Sequence, residues 1–407
     1  MLDEQPHPGT QEPLLSARFV TVVTAGLFYF MSLGMQLPTV PKFVEGQLGG
    51  SELAVGIIVG SFSIGAVAVR PFAGRLGDRV GRRPLIVVGA LMVAASVALY
   101  ALINSQAALL GARLLGGVGE AAFFVGAGTM VTDLAPASRR GEAISYWSVA
   151  VYGGLALGPA LGEFVLGGDH FQRVWLVGAA LALIAAAVGF MTHETAASTG
   201  SGEPAPLINR TAIGPGTVLF LGMIALAGFA AFVPLYVADI GMEDSGLVFL
   251  LYGCTILALR IFGAKIPDRI GTLKAGTFAM SASAVGLVII AATGNVAGLY
   301  VGTFVFSVGM SLLYPAMLTM ALIGVPDSER GSAVGTISSF FDLSQGIGAA
   351  VLGIAVALGG FRIAFVTAAV LSVLGLSMLR TVFRPAPSPE FEYLAAEAAH
   401  EFPEPPP

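Results

Sequence analysis

Arg113 and Glu120 bracket the run Arg113-Leu114-Leu115-Gly116-Gly117-Val118-Gly119-Glu120. Their spacing is about two helical turns, so on a helix the two side chains share a face. The run lies inside an apolar stretch long enough to cross a bilayer, where a charged side chain costs roughly 3 kcal/mol and so faces a cavity or a partner. Glu120, near the middle of the stretch, is a candidate proton carrier, and Arg113 the group that modulates it. A purely structural Arg–Glu pair is the plainer alternative. Asp342 follows Phe340-Phe341 deep in a later apolar stretch, with Gln345 one turn on. Asp342 is a second candidate for proton or substrate contact, and a hydrogen bond to a neighbouring helix is its plain alternative. Arg70 and Arg260 stand near helix ends, where long side chains can snorkel to the interface. Glu163 and Asp239 fall near the opposite ends, within reach of water.

These residues need a membrane to position them. The chain of 407 residues is 56% hydrophobic and 11% charged, against about 25% charged in a soluble domain. Its mean hydropathy is +0.84. The 54 glycines suit membrane helices, where small residues let backbones approach. Apolar stretches of roughly 20 residues cover 18–41, 53–74, 84–103, 106–131, 142–165, 172–191, 213–239, 246–263, 275–293, 297–322, 332–357 and 361–381. The segment 192–212 contains Ser, Gly, Glu and Pro and reads as a cytoplasmic connector. It divides the chain into a six-helix bundle over 1–191 and another over 213–384. The tail 385–407 is acidic and Pro-containing, and disorder is expected there.

Basic residues orient the helices. With the N-terminus inside, the inner segments carry Arg75, Arg79, Arg82, Arg83, Arg139, Arg140, Lys265, Arg269, Lys274 and Arg330 among others. The outer loops carry only Lys42, Arg173 and Arg362. Both termini are therefore expected in the cytoplasm. The polar N-terminal segment lacks the basic start of a cleavable signal. Arg far outnumbers Lys and Ala is abundant, as in GC-rich bacterial genomes, so a bacterial plasma (inner) membrane is expected.

The halves superpose in sequence at an offset of 190. Arg70 falls on Arg260, Asp78-Arg79 on Asp268-Arg269, Gly81 on Gly271, Gly119 on Gly309 and Arg140-Gly141 on Arg330-Gly331. A parallel repeat of six helices, related by an axis along the membrane normal, characterises one large class of transporters.

The loop after the second stretch reads Gly74-Arg75-Leu76-Gly77-Asp78-Arg79-Val80-Gly81-Arg82-Arg83. It resembles the signature loop of the major facilitator superfamily, Gly-x-Leu-x-Asp-Arg-x-Gly-Arg-(Arg/Lys), at every defined position. A decayed copy runs from Ala264 to Gly271. The Arg113 run is similar to a second motif of that family. Gly154-Leu155-Ala156-Leu157-Gly158-Pro159-Ala160-Leu161-Gly162 resembles the motif of its drug/proton antiporters, departing at Glu163 where the family has Gly. Gly at every fourth position makes a flat packing face, and Pro159 removes a backbone hydrogen bond and kinks the helix.

The resemblance implies an all-α fold of twelve transmembrane helices in two pseudo-twofold-related bundles. It implies a monomer that moves a small molecule by alternating access. Asp78, Arg79, Arg82 and Gly74, with Asp268 and Arg269 in the second half, would form a cytoplasmic latch. Gly154, Gly158, Pro159 and Gly162 would shape a hinge. Glu120, Arg113 and Asp342 would couple protons to efflux of an amphiphilic drug or metabolite. In this family the first, fourth, seventh and tenth helices surround the cavity, which nominates Tyr29, Gln36, Phe123, Phe124 and Tyr314 for substrate contact, with Tyr252 and Gln345 nearby.

Other chemistries find little support. There is no phosphate-binding Gly-x-x-x-x-Gly-Lys-Ser/Thr loop and no nucleophile–base pair, so no enzyme is expected. The single cysteine, Cys254, excludes a Cys-rich metal site. Met31 and Met35 have a spacing seen at Cu(I) sites, but packing explains them as well. No cofactor, metal or nucleic-acid partner is expected; the expected partners are a small-molecule substrate, protons and lipid. A sugar or metabolite permease, a non-transporting membrane sensor and a lipid flippase are the rival readings.

Overall fold

The computed structural model describes residues 15–136, 139–195, 208–262, 270–326 and 330–382. Among these the regular structure is helical. The long helices are α1 (Ala17–Lys42), α2 (Glu52–Val80), α3 (Arg82–Tyr100), α4 (Gln106–Asp133), α5 (Arg140–Leu166), α6 (Phe171–Phe190), α7 (Ile213–Asp239), α8 (Gly246–Phe262), α9 (Thr272–Thr293) and α10 (Val296–Leu322). A final helical stretch, Arg330–Val382, is broken at Gly359 and Gly360, the latter at φ +78°. It therefore contains two helices, α11 (330–358) and α12 (361–382). Ten stretches are long and apolar enough to cross a membrane, the last of them double, and Gly246–Phe262 is a shorter apolar helix. Together they make the twelve crossings expected. Most of the connector and all of the tail lie outside the described residues.

Local chemistry starts these helices. The hydroxyls of Ser16, Ser51 and Ser105 accept from the backbone N–H of Phe19, Ala54 and Ala108, and the side-chain Oδ1 of Asn295 accepts from Gly298 N–H. Each satisfies a donor that the first turn cannot use. Gly81 and Gly271, one repeat apart, hold φ of +96° and +83°. Gly81 separates α2 from α3 and Gly271 directly precedes α9, each in a backbone conformation that a side chain would disfavour.

Large apolar side chains face outward in mid-helix, among them Phe278 and Val301. Such exposure over so many helices requires an apolar solvent. Inside the first half, α1 packs on α5 and α2 on α4; inside the second, α7 packs on the last two helices and α9 on α10. The halves meet through α2 against α11 and α5 against α8. Contact is closest at the end carrying the α1–α2 turn. There a Cβ on Gly56 or Gly60 would strike the carbonyls of Ala349 and Gly346, and one on Gly253 would strike Ala156.

Candidate functional site

Arg70 stands at the centre of the site. It is ten residues short of the end of α2, and its head group turns inward instead of snorkelling. Its Nη2 donates to Glu120 Oε2 of α4 at 2.8 Å, and its Nε lies 2.7 Å from Asp342 Oδ2 of α11. The Nε–H does not point along the second contact, so that link is Coulombic. The guanidinium also sits over the Phe124 ring at 5.1 Å. Glu120 and Asp342 are 8% and 5% exposed, so neither carboxylate has bulk water to replace its partner. One cation is thus held by one carboxylate from each half.

These carboxylates border a cavity of about 200 Å³. Its remaining walls are mostly apolar, with Phe30, Leu37, Phe62, Leu155 and Phe341, joined by Gln36, Arg113 and Gln345. Gln345 Nε2 is buried without a hydrogen-bond partner. Arg113 shares the cavity with Glu120, as their common face requires, but binds elsewhere. Its Nη1 donates to Gln36 Oε1 at 3.1 Å, its Nη2 to Val59 O at 2.9 Å and its Nε to Ile58 O at 3.3 Å. It also covers the Phe62 ring at 4.8 Å. Glu120 is paired with Arg70, a residue that its position in the sequence does not connect with Glu120.

The other nominated residues divide. Gln36 and Gln345 line this cavity. Tyr29 and Phe123 stack at 3.7 Å within the first half and are fully buried. Tyr252 stacks on Phe229, and the hydroxyl of Tyr314 lies 3.3 Å from that of Ser338. Gly154, Gly158 and Gly162 form the expected packing stripe, and it meets α1. A Cβ on Gly158 would lie 2.6 Å from Met31 O, and one on Gly162 2.7 Å from Met35 O. Pro159 Cδ faces Gly34 in the same contact.

At the opposite end of the helices, Arg82 is buried, with its Nε 3.5 Å from Asp133 Oδ2. Its backbone N–H and that of Arg83 donate to Glu194 at 2.6 and 3.2 Å. Glu194, just after α6, supplies the cap that Gly81 cannot. Arg79 is exposed. Only the backbone is described at Gly74 and Asp78, which lie on α2, while Asp268 and Arg269 fall outside the described residues.

Glu163 is not simply solvated. Both of its oxygens lie 2.8 Å from Lys42 Nζ of α1. Its Oε1 also accepts from Ser245 Oγ at 2.8 Å and Ser245 N at 3.2 Å, so the first half grips the start of α8. Hydropathy placed this carboxylate at a helix end but carried no signal for a partner in the other half.

Twelve apolar helices, a repeat of six and a polar cluster sealed between the halves define a membrane transporter. The chain belongs to the Major Facilitator Superfamily, whose family profile matches residues 22–322 and 243–404. It is 29% identical over 371 residues to an uncharacterized MFS-type transporter of Salmonella typhimurium, covering 89% of this chain and 96% of the relative. Among solved structures, it is similar to the human organic anion transporter MFSD10 (TETRAN), with TM-score 0.70 at 22% identity, covering 91% of this chain and 100% of that one. The nucleoside transporter NupG gives TM-score 0.72 at 14% identity, covering 90% and 100%. At these identities the structural likeness concerns the fold.

Proposed function

We propose that this transporter exchanges protons for a small amphiphilic molecule, which it exports by alternating access. The observation that carries the reading is Arg70 shared between Glu120 of the first half and Asp342 of the second. With both carboxylates ionised, the cluster links the halves and carries one net negative charge. A proton on Asp342 removes the charge that reaches across the interface, and a proton on Glu120 frees Arg70 to follow Asp342. Proton arrival is thereby tied to the separation of the halves. A charged cluster in a low-dielectric site feels each proton far more strongly than one in water.

The apolar walls of the cavity suit a partly apolar solute, and Gln36 and Gln345 offer it hydrogen bonds. The positive-inside bias gives cytoplasmic termini, so the end sealed by α2–α11, α5–α8 and Glu163 faces outward. The helix 5 stripe, with its resemblance to drug/proton antiporters, favours export. Arg82 then steadies the inner face with Asp133 and Glu194, and Asp78 and Arg79 are assigned to the same latch by the resemblance of their loop.

The test uses the purified protein in liposomes with a trapped pH dye, challenged with amphiphilic cations, anions, neutral drugs and sugars. Substrate-dependent proton movement in the wild type that is lost in Glu120→Gln is the expected result. Full proton movement in both Glu120→Gln and Asp342→Asn overturns the proton role of the cluster.

A further inference from the structure

The repeat relates more than motifs. An offset of 190 carries Arg70 onto Arg260, Glu120 onto Met310 and Asp342 onto Tyr152. Arg70 therefore has two carboxylate partners, whereas the sequence offers its mate a methionine and a tyrosine at the corresponding positions. The structure keeps the pairing of helices across the interface while losing the carboxylate. Arg260 Nη2 donates to the Tyr152 hydroxyl at 2.8 Å, and its guanidinium covers the Tyr152 ring at 4.4 Å. This α8–α5 contact is the counterpart of the α2–α11 contact between Arg70 and Asp342.

Among the described residues, no carboxylate lies within ion-pair distance of Arg260. Its Nε is buried and has no hydrogen-bond acceptor. Nor does the head group escape to the interface. Tyr152 lies twelve residues into α5 from Arg140, about 18 Å at 1.5 Å per residue, which is mid-depth in a bilayer core of about 30 Å. Arg260 also belongs to the space between the halves, since Tyr152 is on α5 of the first half and Arg260 on α8 of the second.

A guanidinium at mid-depth normally has a counter-charge, and a buried N–H without an acceptor is rare in a native structure. One phenol satisfies neither requirement fully. We propose that Arg260 is a specificity-determining residue that binds the anionic head of the transported molecule, and that this molecule is an amphiphilic carboxylate. The unused Nε–H can donate to a carboxylate, as can the guanidinium N–H groups that Tyr152 does not take. The apolar remainder of the solute then lies in the space between the halves. Arg70 cannot serve in this way, because its two carboxylates already neutralise it and would repel an anion.

The inference rests on the space between the halves being the substrate's passage, and its test avoids proton coupling. The full-length protein in detergent, at fixed pH and without a gradient, is titrated with 2-naphthoate and with its neutral isostere 2-naphthamide. The wild type is expected to bind naphthoate at least tenfold more tightly than naphthamide. Arg260→Gln should bring the two within about twofold while leaving naphthamide binding unchanged, which also shows that the passage is still folded. Arg260→Lys should keep part of the preference. A wild type that binds neither probe, or shows no preference for the anion, overturns the proposal, as does an Arg260→Gln protein that keeps the preference. Full proton movement in both Glu120→Gln and Asp342→Asn, with the anion preference of the wild type intact, would overturn only the coupling role of the central cluster.

Discussion

Arg70 Nε and Asp342 Oδ2 lie 2.7 Å apart, and they join α2 of the first half to α11 of the second. The contact falls beside the cavity, below the stretch where glycines bring the same two helices backbone to backbone. The ion pair is therefore the polar continuation of a tight apolar seam. Whatever separates α2 from α11 must break it.

Arg70→Gln should be the most damaging single change in the cluster. It leaves two buried carboxyl groups without the cation they share. Breaking a buried pair in this way costs about 3–5 kcal/mol, and substrate-driven proton movement should fall at least a hundredfold. The triple variant Arg70→Gln, Glu120→Gln, Asp342→Asn should recover most of the thermal stability in detergent without recovering transport. A triple variant as unstable as Arg70→Gln alone would show that the charges are not the source of the loss.

Two glycines distinguish packing within a half from packing between halves. Gly158 lies against α1 in the same half, so Gly158→Val should lower stability by about 1–3 kcal/mol through overpacking. Gly60 lies against Gly346 across the interface. There Gly60→Val wedges the halves apart at one end and should cost less stability while shifting the conformational equilibrium. Val40 lines the cavity, so a Val40→Cys reporter in a Cys254→Ser background should react at least fivefold faster with a membrane-impermeant maleimide when Gly60→Val is present. Equal rates with and without Gly60→Val would mean that the seam does not control access.

Much of this is legible in the sequence, because hydropathy reports lipid contact directly. All twelve crossings, the 190-residue repeat and the shared face of Arg113 and Glu120 follow from spacing alone. Pairings across the interface do not, since rotation of one helix about its axis is set by neighbours far along the chain. For that reason Arg70 resembles an interfacial arginine and Glu163 a solvated acid. Tyr29 and Phe123 look like cavity aromatics, yet they stack with each other. The offset holds one further signal: it matches Asp342 with Tyr152, and so it relates the α2–α11 contact to the α5–α8 contact through residue numbers alone.

Glu163 departs from the glycine of the motif that its helix resembles, and its contacts say why a carboxylate is useful there. It binds Lys42 within its own half and Ser245 at the start of α8 in the other. Glu163→Ala should free that end, raising maleimide labelling at the Val40→Cys reporter by a few fold. Ser245→Ala should give a smaller rise, because it removes the hydroxyl donor but keeps the backbone donor. Lys42→Met should act like Glu163→Ala only if the ion pair holds Glu163 in place for Ser245, so the pattern across the three variants separates the lysine's role from the serine's.

Arg113 makes a contrasting case, since each of its three guanidinium nitrogens donates to an acceptor of the first half. Hydrogen bonds to a charged donor contribute about 1.5–3 kcal/mol each, and the fork geometry cannot be copied by an ammonium. Arg113→Lys should therefore weaken the α2–α4 contact beside the cavity and lower stability by about 2 kcal/mol in thermal unfolding. Because Arg113 does not touch Glu120, the variant should still move protons with substrate, within about tenfold of the wild type. Gln36→Leu removes only one acceptor, and Ile58 and Val59 carbonyls remain, so its effect on stability should be smaller than that of Arg113→Lys. If Arg113→Lys instead abolished proton movement while leaving the unfolding temperature unchanged, Arg113 would act on the proton carrier through the cavity and not through the helix contact that its hydrogen bonds describe.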